Sequence, residues 1–435
     1  MPEIRGTDRY FAAWALVLPI ASILVIPFVQ GTTPANLFAL ALLFPPLALL
    51  VMPFDGAARF YKTVFWIAVC FVAYTAVAQL ALSALTMRHL AALELVDPLD
   101  KRVVLRATLF TQSLYLLTGI ATFAFVRWFY RPEWDRWLLA GALVLAGYGV
   151  YELVFFAVTQ RPGDFLSNRT FGAGYHPGSW FQTIALGPIL MQRLKSLTGE
   201  PAMYAFTILP FWIYALHTGR TRTQWCLLVS LLLTASTTAV LGIASYLAVR
   251  ILWFRAIDRL SVAAAVTLLA VAALWAIGVD VVVDLVDKVL VSKLTLASMS
   301  GADRFRSFEE GIRFFLAAPL TIQLFGIGWG YTRGSNMFTT LLINTGAIGL
   351  AAAFALFLYP FFRLGRDALS AGLKAAVLVL LATLMVAVPE YGYPSMWLFL
   401  GIAYNEVLRK RPDPAAKRAS TRAPVAGSVD GGLRT

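Results

Sequence analysis

Two polar stretches between long apolar runs carry the residue types that bind phosphate. The first, TQRPGDFLSNRTFGAGYHPG (159–178), holds Arg161, Arg169 and His176. The second lies within 280–336 and contains SGADRFRSFEEGIRFFLAAPLTIQLFGIGWGYTRGSN, with Arg304, Arg306, Arg313 and Arg333. A guanidinium grips phosphate through a planar fork of five donors and stays charged when partly desolvated. Gathered at one membrane face, these six arginines would form a cationic pocket for a lipid-linked phosphate or diphosphate. Cations there would also stabilise the charge that grows on a leaving diphosphate.

The same residues have plainer readings. Arg304 can pair with Asp303 or Glu309, and Arg313 with Glu309 or Glu310; Arg306 and Glu310 stand four apart, at salt-bridge spacing on a helix. Arg169 is different, since no acid lies nearer than Asp164. FGIGWGYTRG (325–334) offers backbone N–H groups to an anion, or serves only as a lead-in turn to the next helix. It lacks the GK[ST] of a phosphate loop and the preceding strand of a dinucleotide fold. His176 is a candidate base or phosphate ligand, or an interfacial residue beside Pro177. His89 and His217 read as structural. No His, Asp or Glu grouping has metal-ligand spacing, no GxSxG elbow occurs, and nothing calls for a cofactor. Glu390, in VPEYGYPSMW, would orient a sugar hydroxyl or pair with a loop arginine. Its neighbour Tyr391 would stack on a sugar face or belong to an aromatic belt at the membrane interface.

The elements that position these groups follow from composition. The 435 residues are 59% hydrophobic and only 14% charged, against about 25% charged in soluble domains. Apolar runs of about 20 residues recur, which marks transmembrane segments. Backbone groups in lipid must be satisfied internally, and runs this long make helices, not barrel strands. The expected fold is therefore an all-α polytopic membrane protein. Spans are predicted at 10–30, 36–53, 63–86, 106–127, 137–158, 178–194, 201–217, 223–252, 260–279, 337–362, 373–389 and 394–408. That amounts to about twelve. The stretch 178–194 has a second reading as a short helix dipping into the outer leaflet, in which case 223–252 splits near Ser236; the split is favoured because it keeps Arg220 and Arg222 inside. Residues 87–105 read as an amphipathic surface helix.

Charge predicts the orientation. Arg5, Arg9, Arg59, Lys62, Arg127, Arg131, Arg136, Arg250, Arg255, Arg259, Arg363, Arg366 and Lys374 fall on one side, so both termini are expected in the cytoplasm. Residues 1–408 form the membrane domain, and 409–435 a disordered basic tail with seven Lys/Arg against two Asp, or +5 of the net +13. Such basicity suits anionic membrane lipids and does not call for nucleic acid. The N-terminus reads as a retained first helix and not a cleaved signal. The two cysteines, Cys70 and Cys226, sit in apolar runs and suggest neither a disulfide framework nor a metal site.

In order, these features resemble the O-antigen polymerase and O-antigen ligase superfamily of bacterial envelope glycan assembly. The resemblance rests on Arg169-Thr-Phe-Gly172 before an apolar segment, the small-polar break in LLLTASTTAVLG (231–242), and the long loop with SGADRFRSFEEGIRFF. The Gly326-Ile-Gly328 turn and NMFTTLLINTGAIGLAAAFAL (336–356) complete it, covering roughly residues 60–405. The chain departs from the family in two places. Thr237 follows Ser236 where the family often has Ser-Arg, and Ser335 precedes Asn336 where ligases carry His. The second departure favours polymerisation over ligation.

The resemblance implies a GT-C-like bundle in the bacterial inner membrane with its site facing the periplasm. Donor and acceptor would both be undecaprenyl-diphosphate-linked glycans, with no metal and no nucleotide sugar. A chain-length regulator is a partner by analogy. Arg169 with Arg304 or Arg306 would hold the diphosphate, and Arg333 and Asn336 would line the same mouth. His176 or Glu390 would take the acceptor proton, while Arg161, Arg313 and Tyr391 would contact the remaining substrate. The rival readings are transfer of the glycan to another acceptor and a lipid-linked oligosaccharide flippase. Against the flippase, the spans are nearly free of charge, Glu152 excepted.

Overall fold

The computed structural model describes residues 4–410, apart from 28, 84, 87–89, 91–92, 171–181, 187–188, 255–281, 284–285, 292–294, 296–298 and 389. The expected span at 260–279, the tail beyond 410, His89 and His176 lie outside the described residues. The described chain is mostly helical. Its helices are α1 Ile4–Val17, α2 Pro34–Ala41, α3 Pro45–Val51, α4 Phe54–Leu82, α5 Ala107–Phe129, α6 Asp135–Thr159 and α7 Pro201–His217. There follow α8 Thr221–Leu233, α9 Thr237–Ala248, α10 Met299–Ala317, α11 Leu320–Phe325, α12 Met337–Arg363, α13 Ala368–Val386 and α14 Pro394–Arg409. Five helical stretches are long and apolar enough to cross a membrane: α4, α5, Pro132–Thr159, α12 and α13. A sixth is possible if α2 and α3, bent by 95° to each other, count as one broken span.

Several expected spans have a different local form, and proline explains most of them. The span at 10–30 ends as a helix at Val17, two residues before Pro19, which has no N–H to give. Beyond it the backbone is satisfied by protein: Ala21 and Ser22 donate to the Leu197 carbonyl at 2.9 and 3.1 Å, and Val25 to that of Thr32 at 2.8 Å. The span at 36–53 is the bent pair. Pro45 and Pro46 cannot donate to the preceding turn, and Phe44 before them is extended (φ −88°, ψ 109°).

The described residues of 178–194, which are 182–186 and 189–194, are not helical. Thr183–Leu186 (β1) and Ile189–Gln192 (β2) pair antiparallel, Thr183 opposite Gln192 and Leu186 opposite Ile189. In sequence, a Gly-Pro pair at 187–188 disfavours a helix, whereas Thr183, Ile184 and Ile189 suit strands. The segment 93–105 is not helical either: Asp97 and Asp100 accept from the backbone N–H of Leu99 and Arg102, each at 3.0 Å, and Pro98 lies between them.

The break expected in 223–252 is present. Ala235 turns with φ +43°, and Ser236 caps α9 by accepting from the Thr238 N–H at 3.2 Å. The chain just after β2 closes onto this break. Leu194 N–H donates to the Leu233 carbonyl, and the Arg193 side chain to that of Thr234, each at 3.1 Å.

One buried ionic cluster ties three segments together. Lys195, 1% exposed, lies 2.6 Å from Asp164 and 3.4 Å from Glu152 of α6. Glu152 also accepts from the Ser196 N–H at 3.1 Å, and Asp164 from the Ser167 N–H at 3.0 Å. The cluster therefore fixes the segment before Arg169 and the turn before α7 to the same helix.

Candidate functional site

A cavity of about 900 Å³ opens between the α1–α2 connection, α5, the end of the long loop and the α13–α14 connection. This lies within the size range of small-molecule sites, about 300–1,000 Å³. Its charged lining is Arg169, Arg333, Glu94, Glu200 and Glu390.

Arg169 is held by its own backbone. Asn168 and Arg169 N–H both donate to the Ser22 carbonyl, at 3.1 and 3.0 Å. The Asn168 side chain bonds the backbone of Leu24 twice, accepting at 2.6 Å and donating at 2.9 Å. Residues 167–169 thus dock on 21–24, and the Arg169 guanidinium donates to Gln30 Oε1 at 3.2 Å and to the Ala21 carbonyl at 3.1 Å.

Arg333 is held by a broken helix. Within α12, Gly346 takes φ +61°, ψ −172°, which interrupts the helical ladder. The carbonyls of Ile343 and Asn344 accept instead from Ile327 and Gly328 N–H, at 2.9 and 3.0 Å. Gly326 has φ +74°, and a Cβ there would come within 2.4 Å of the Asn344 backbone. The Asn344 side chain then clamps Thr332, accepting from its N–H at 3.0 Å and donating to its carbonyl at 2.8 Å. Tyr331 donates to Gln79 of α4 at 2.8 Å, and Leu95 forms a β-bridge with Thr332. With both preceding residues pinned, Arg333 reaches Glu390 Oε2 at 2.5 Å. Glu390 Oε1 accepts from Gly392 N–H at 3.0 Å. The carboxylate of Glu390 holds the Arg333 guanidinium charged, raising its pKa further against the opposing effect of burial.

Gln30, Thr33, Asn36, Thr111, Gln112 and Tyr115 supply amide and hydroxyl groups to the same walls. With three carboxylates to two guanidiniums, the described lining is mixed in charge and not the purely cationic pocket expected. Such a site can hold an anion at its arginines and hydroxyl groups at its carboxylates and amides.

The chain matches no family model and no curated protein.

Of the expected site residues, the structure brings Arg169, Arg333 and Glu390 together. The other described ones fall elsewhere. Arg161 is exposed, Arg304 on α10 is half-buried, and Arg306 is exposed; none of the three lines the cavity. Arg313 pairs with Glu309 at 2.7 Å on the exposed face of α10, with side chains 75% and 53% accessible. Arg306 and Glu310 form no ion pair with each other. Asn336 caps α12, its Oδ1 accepting from the Thr339 N–H at 2.9 Å, so its acceptor serves the helix. The N–H groups of Ile327 and Gly328 are likewise committed to α12, which removes them as an anion cradle.

Tyr391 stands behind the wall. Its hydroxyl donates to Gln112 Oε1 at 2.5 Å and its ring packs 4.5 Å from that of Trp329. Its hydroxyl pKa is raised by burial and then by the Glu390 charge, and Tyr391 is not among the residues lining the cavity. Glu94, Glu200 and Asn36 were not singled out by sequence. Glu94 sits in the stretch read as a surface helix, and Glu200 begins α7, where an acid is unremarkable. Their only signal is convergence in space.

Proposed function

We propose that the protein is a membrane glycosyltransferase that polymerises undecaprenyl-diphosphate-linked oligosaccharide repeat units. In this reading it is a GT-C-like bundle of about twelve spans in the bacterial inner membrane, with both termini cytoplasmic and the cavity facing the periplasm. The observation that carries it is the meeting of Arg169 and Arg333, on separate outer segments, in one cavity walled by carboxylates and amides.

Arg169 and Arg333 grip the donor diphosphate and neutralise the charge that develops as it leaves. An interaction that strengthens as the bond breaks lowers the barrier, and one equal in both states does not. Arg333 is already charged and oriented by Glu390. The amides of Gln30, Asn36 and Gln112 bind sugar hydroxyls and align the acceptor. The polymer would be O-antigen, capsule or exopolysaccharide.

The test uses purified protein in detergent with a lipid-linked repeat unit as donor and acceptor, reading product length. Growth of a polymer ladder by the wild type, lost in Arg169→Ala, supports the proposal. No elongation by wild-type protein on any such substrate overturns it.

The buried Lys195–Glu152–Asp164 cluster favours a second reading, a lipid-linked oligosaccharide flippase, because ionisable groups inside a membrane bundle commonly mark transport paths. A flippase moves substrate between leaflets of sealed vesicles and elongates nothing in detergent, so the same assay separates the two.

A further inference from the structure

We propose that Glu94 is the general base of this site, taking the proton from the attacking hydroxyl of the acceptor sugar; the assignment rests on the glycosyl-transfer reading. Three carboxylates line the cavity, and their commitments differ. Glu390 has both oxygens in use, one by Arg333 at 2.5 Å and one by the Gly392 N–H at 3.0 Å. A carboxylate that anchors a phosphate-binding arginine is poorly placed to receive a proton as well. Glu200 stands at the start of α7, where its charge acts on Arg193, outside the lining, and on Tyr393 in the wall. Glu94 alone of the three is exposed at the mouth, and among the described residues it makes no hydrogen bond or ion pair.

Its backbone is nonetheless fixed relative to the phosphate-binding side. Leu95 bridges Thr332, and Val96 N–H donates to the Tyr331 carbonyl at 3.0 Å. These contacts set Glu94 and Arg333 on two paired segments at the same rim. One edge of the cavity therefore offers a cation for the leaving group and an uncommitted carboxylate for the nucleophile.

In the step, a Glu94 carboxylate oxygen removes the acceptor O–H proton. The acceptor oxygen forms its bond to the anomeric carbon of the donor while the bond from that carbon to the diphosphate oxygen breaks. The electron pair leaves with undecaprenyl diphosphate, held by Arg169 and Arg333. The carboxylic acid of Glu94 then returns its proton to solvent.

The test compares wild type with Glu94→Gln in three measurements. These are elongation on a lipid-linked repeat unit, binding of farnesyl diphosphate as a donor mimic, and glycosyl azide formation with azide as acceptor. Azide is an anion and needs no proton removed. General-base catalysis contributes about 10²–10⁴-fold. Glu94→Gln is expected to elongate at least about 100-fold more slowly, to bind farnesyl diphosphate within about 2-fold of wild type, and to form glycosyl azide at close to the wild-type rate. Elongation by Glu94→Gln within about 3-fold of wild type overturns the assignment. So does loss of azide transfer along with elongation, which marks a structural role. If wild-type protein elongates no lipid-linked glycan, the polymerase reading itself fails, a result distinct from either.

Discussion

The two polar, arginine-bearing segments make opposite use of the same side chain. In the segment ending at Arg169, the backbone is docked on residues 21–24, and a buried Lys195–Asp164 contact of 2.6 Å anchors the chain five residues upstream. Its guanidinium is presented to a cavity. On α10, Arg304, Arg306 and Arg313 ride an amphipathic helix whose polar face is open to solvent, and Arg313 spends its charge on Glu309 one turn away. Arg333 lies beyond α11 and lines the cavity like Arg169 because a broken helix pins its neighbours. An arginine thus becomes a ligand-binding group through the rigidity of the backbone behind it. Clustering in sequence is not enough.

That contrast can be probed by substitution. The largest effect is expected at Lys195. Lys195→Met leaves Glu152 and Asp164 buried without their cation, and destabilisation of about 3–5 kcal/mol is expected, read as a lowered thermal midpoint in detergent and as lost anchoring of Arg169. A midpoint equal to wild type would show that the cluster does not anchor this region. Next, Arg169→Ala should slow elongation by about 100–1,000-fold, the usual cost of removing one donor to a developing anion. Arg306→Ala should elongate at the wild-type rate; equal losses in both would erase the distinction between the segments.

Gly326→Ala probes the brace behind Arg333. Its φ of +74° and the 2.4 Å approach to the Asn344 backbone leave no room for a methyl group. A cost of about 1–3 kcal/mol is expected from such strain, with weaker diphosphate binding as the Arg333 segment shifts. The smallest effects belong to exposed pairs. Arg313→Ala should change stability by less than about 1 kcal/mol.

The Asp367–Lys410 pair, at the start of α13, gives a pH signature of similar size. Burial raises the Asp367 pKa, but bonds from Lys410 and the Ser370 N–H outweigh it and bring it down to about 2. A depressed carboxylate pKa stabilises the fold above the unfolded value and loses that contribution as pH falls towards 2. A melting series between about pH 5 and pH 2 should therefore show a shallow loss, absent in Asp367→Asn.

Much of the helical frame is legible from the chain. The apolar runs at 106–127, 137–158, 201–217 and 394–408 each correspond to one helix, and 337–362 to α12 with its break at Gly346, because length and hydropathy report burial along an element. The expected spans at 10–30, 36–53 and 178–194 depart from the structure because hydropathy does not register a proline. Pro19 and the Pro45–Pro46 pair each interrupt a run that is apolar enough to continue. At the site, Arg169, Arg333 and Glu390 were legible as charges out of place in an apolar chain. Arg304, Arg306 and Asn336 had the same appearance but serve a surface face and a helix cap. Glu94 and Glu200 were invisible, since only tertiary docking, through the Leu95–Thr332 bridge and the Lys195 cluster, brings them to the cavity.

The central claim is that Arg169 and Arg333 act together on one anion. Calorimetric binding of farnesyl diphosphate to wild type, Arg169→Ala, Arg333→Ala and the double variant tests it directly. Groups sharing a ligand are coupled, and groups at separate sites contribute independently. Each single change is expected to weaken binding by about 10-fold or more, and the double change to cost measurably less than the sum. Wild-type affinity in both single variants, or loss of binding in Arg304→Ala and Arg306→Ala instead, would contradict it.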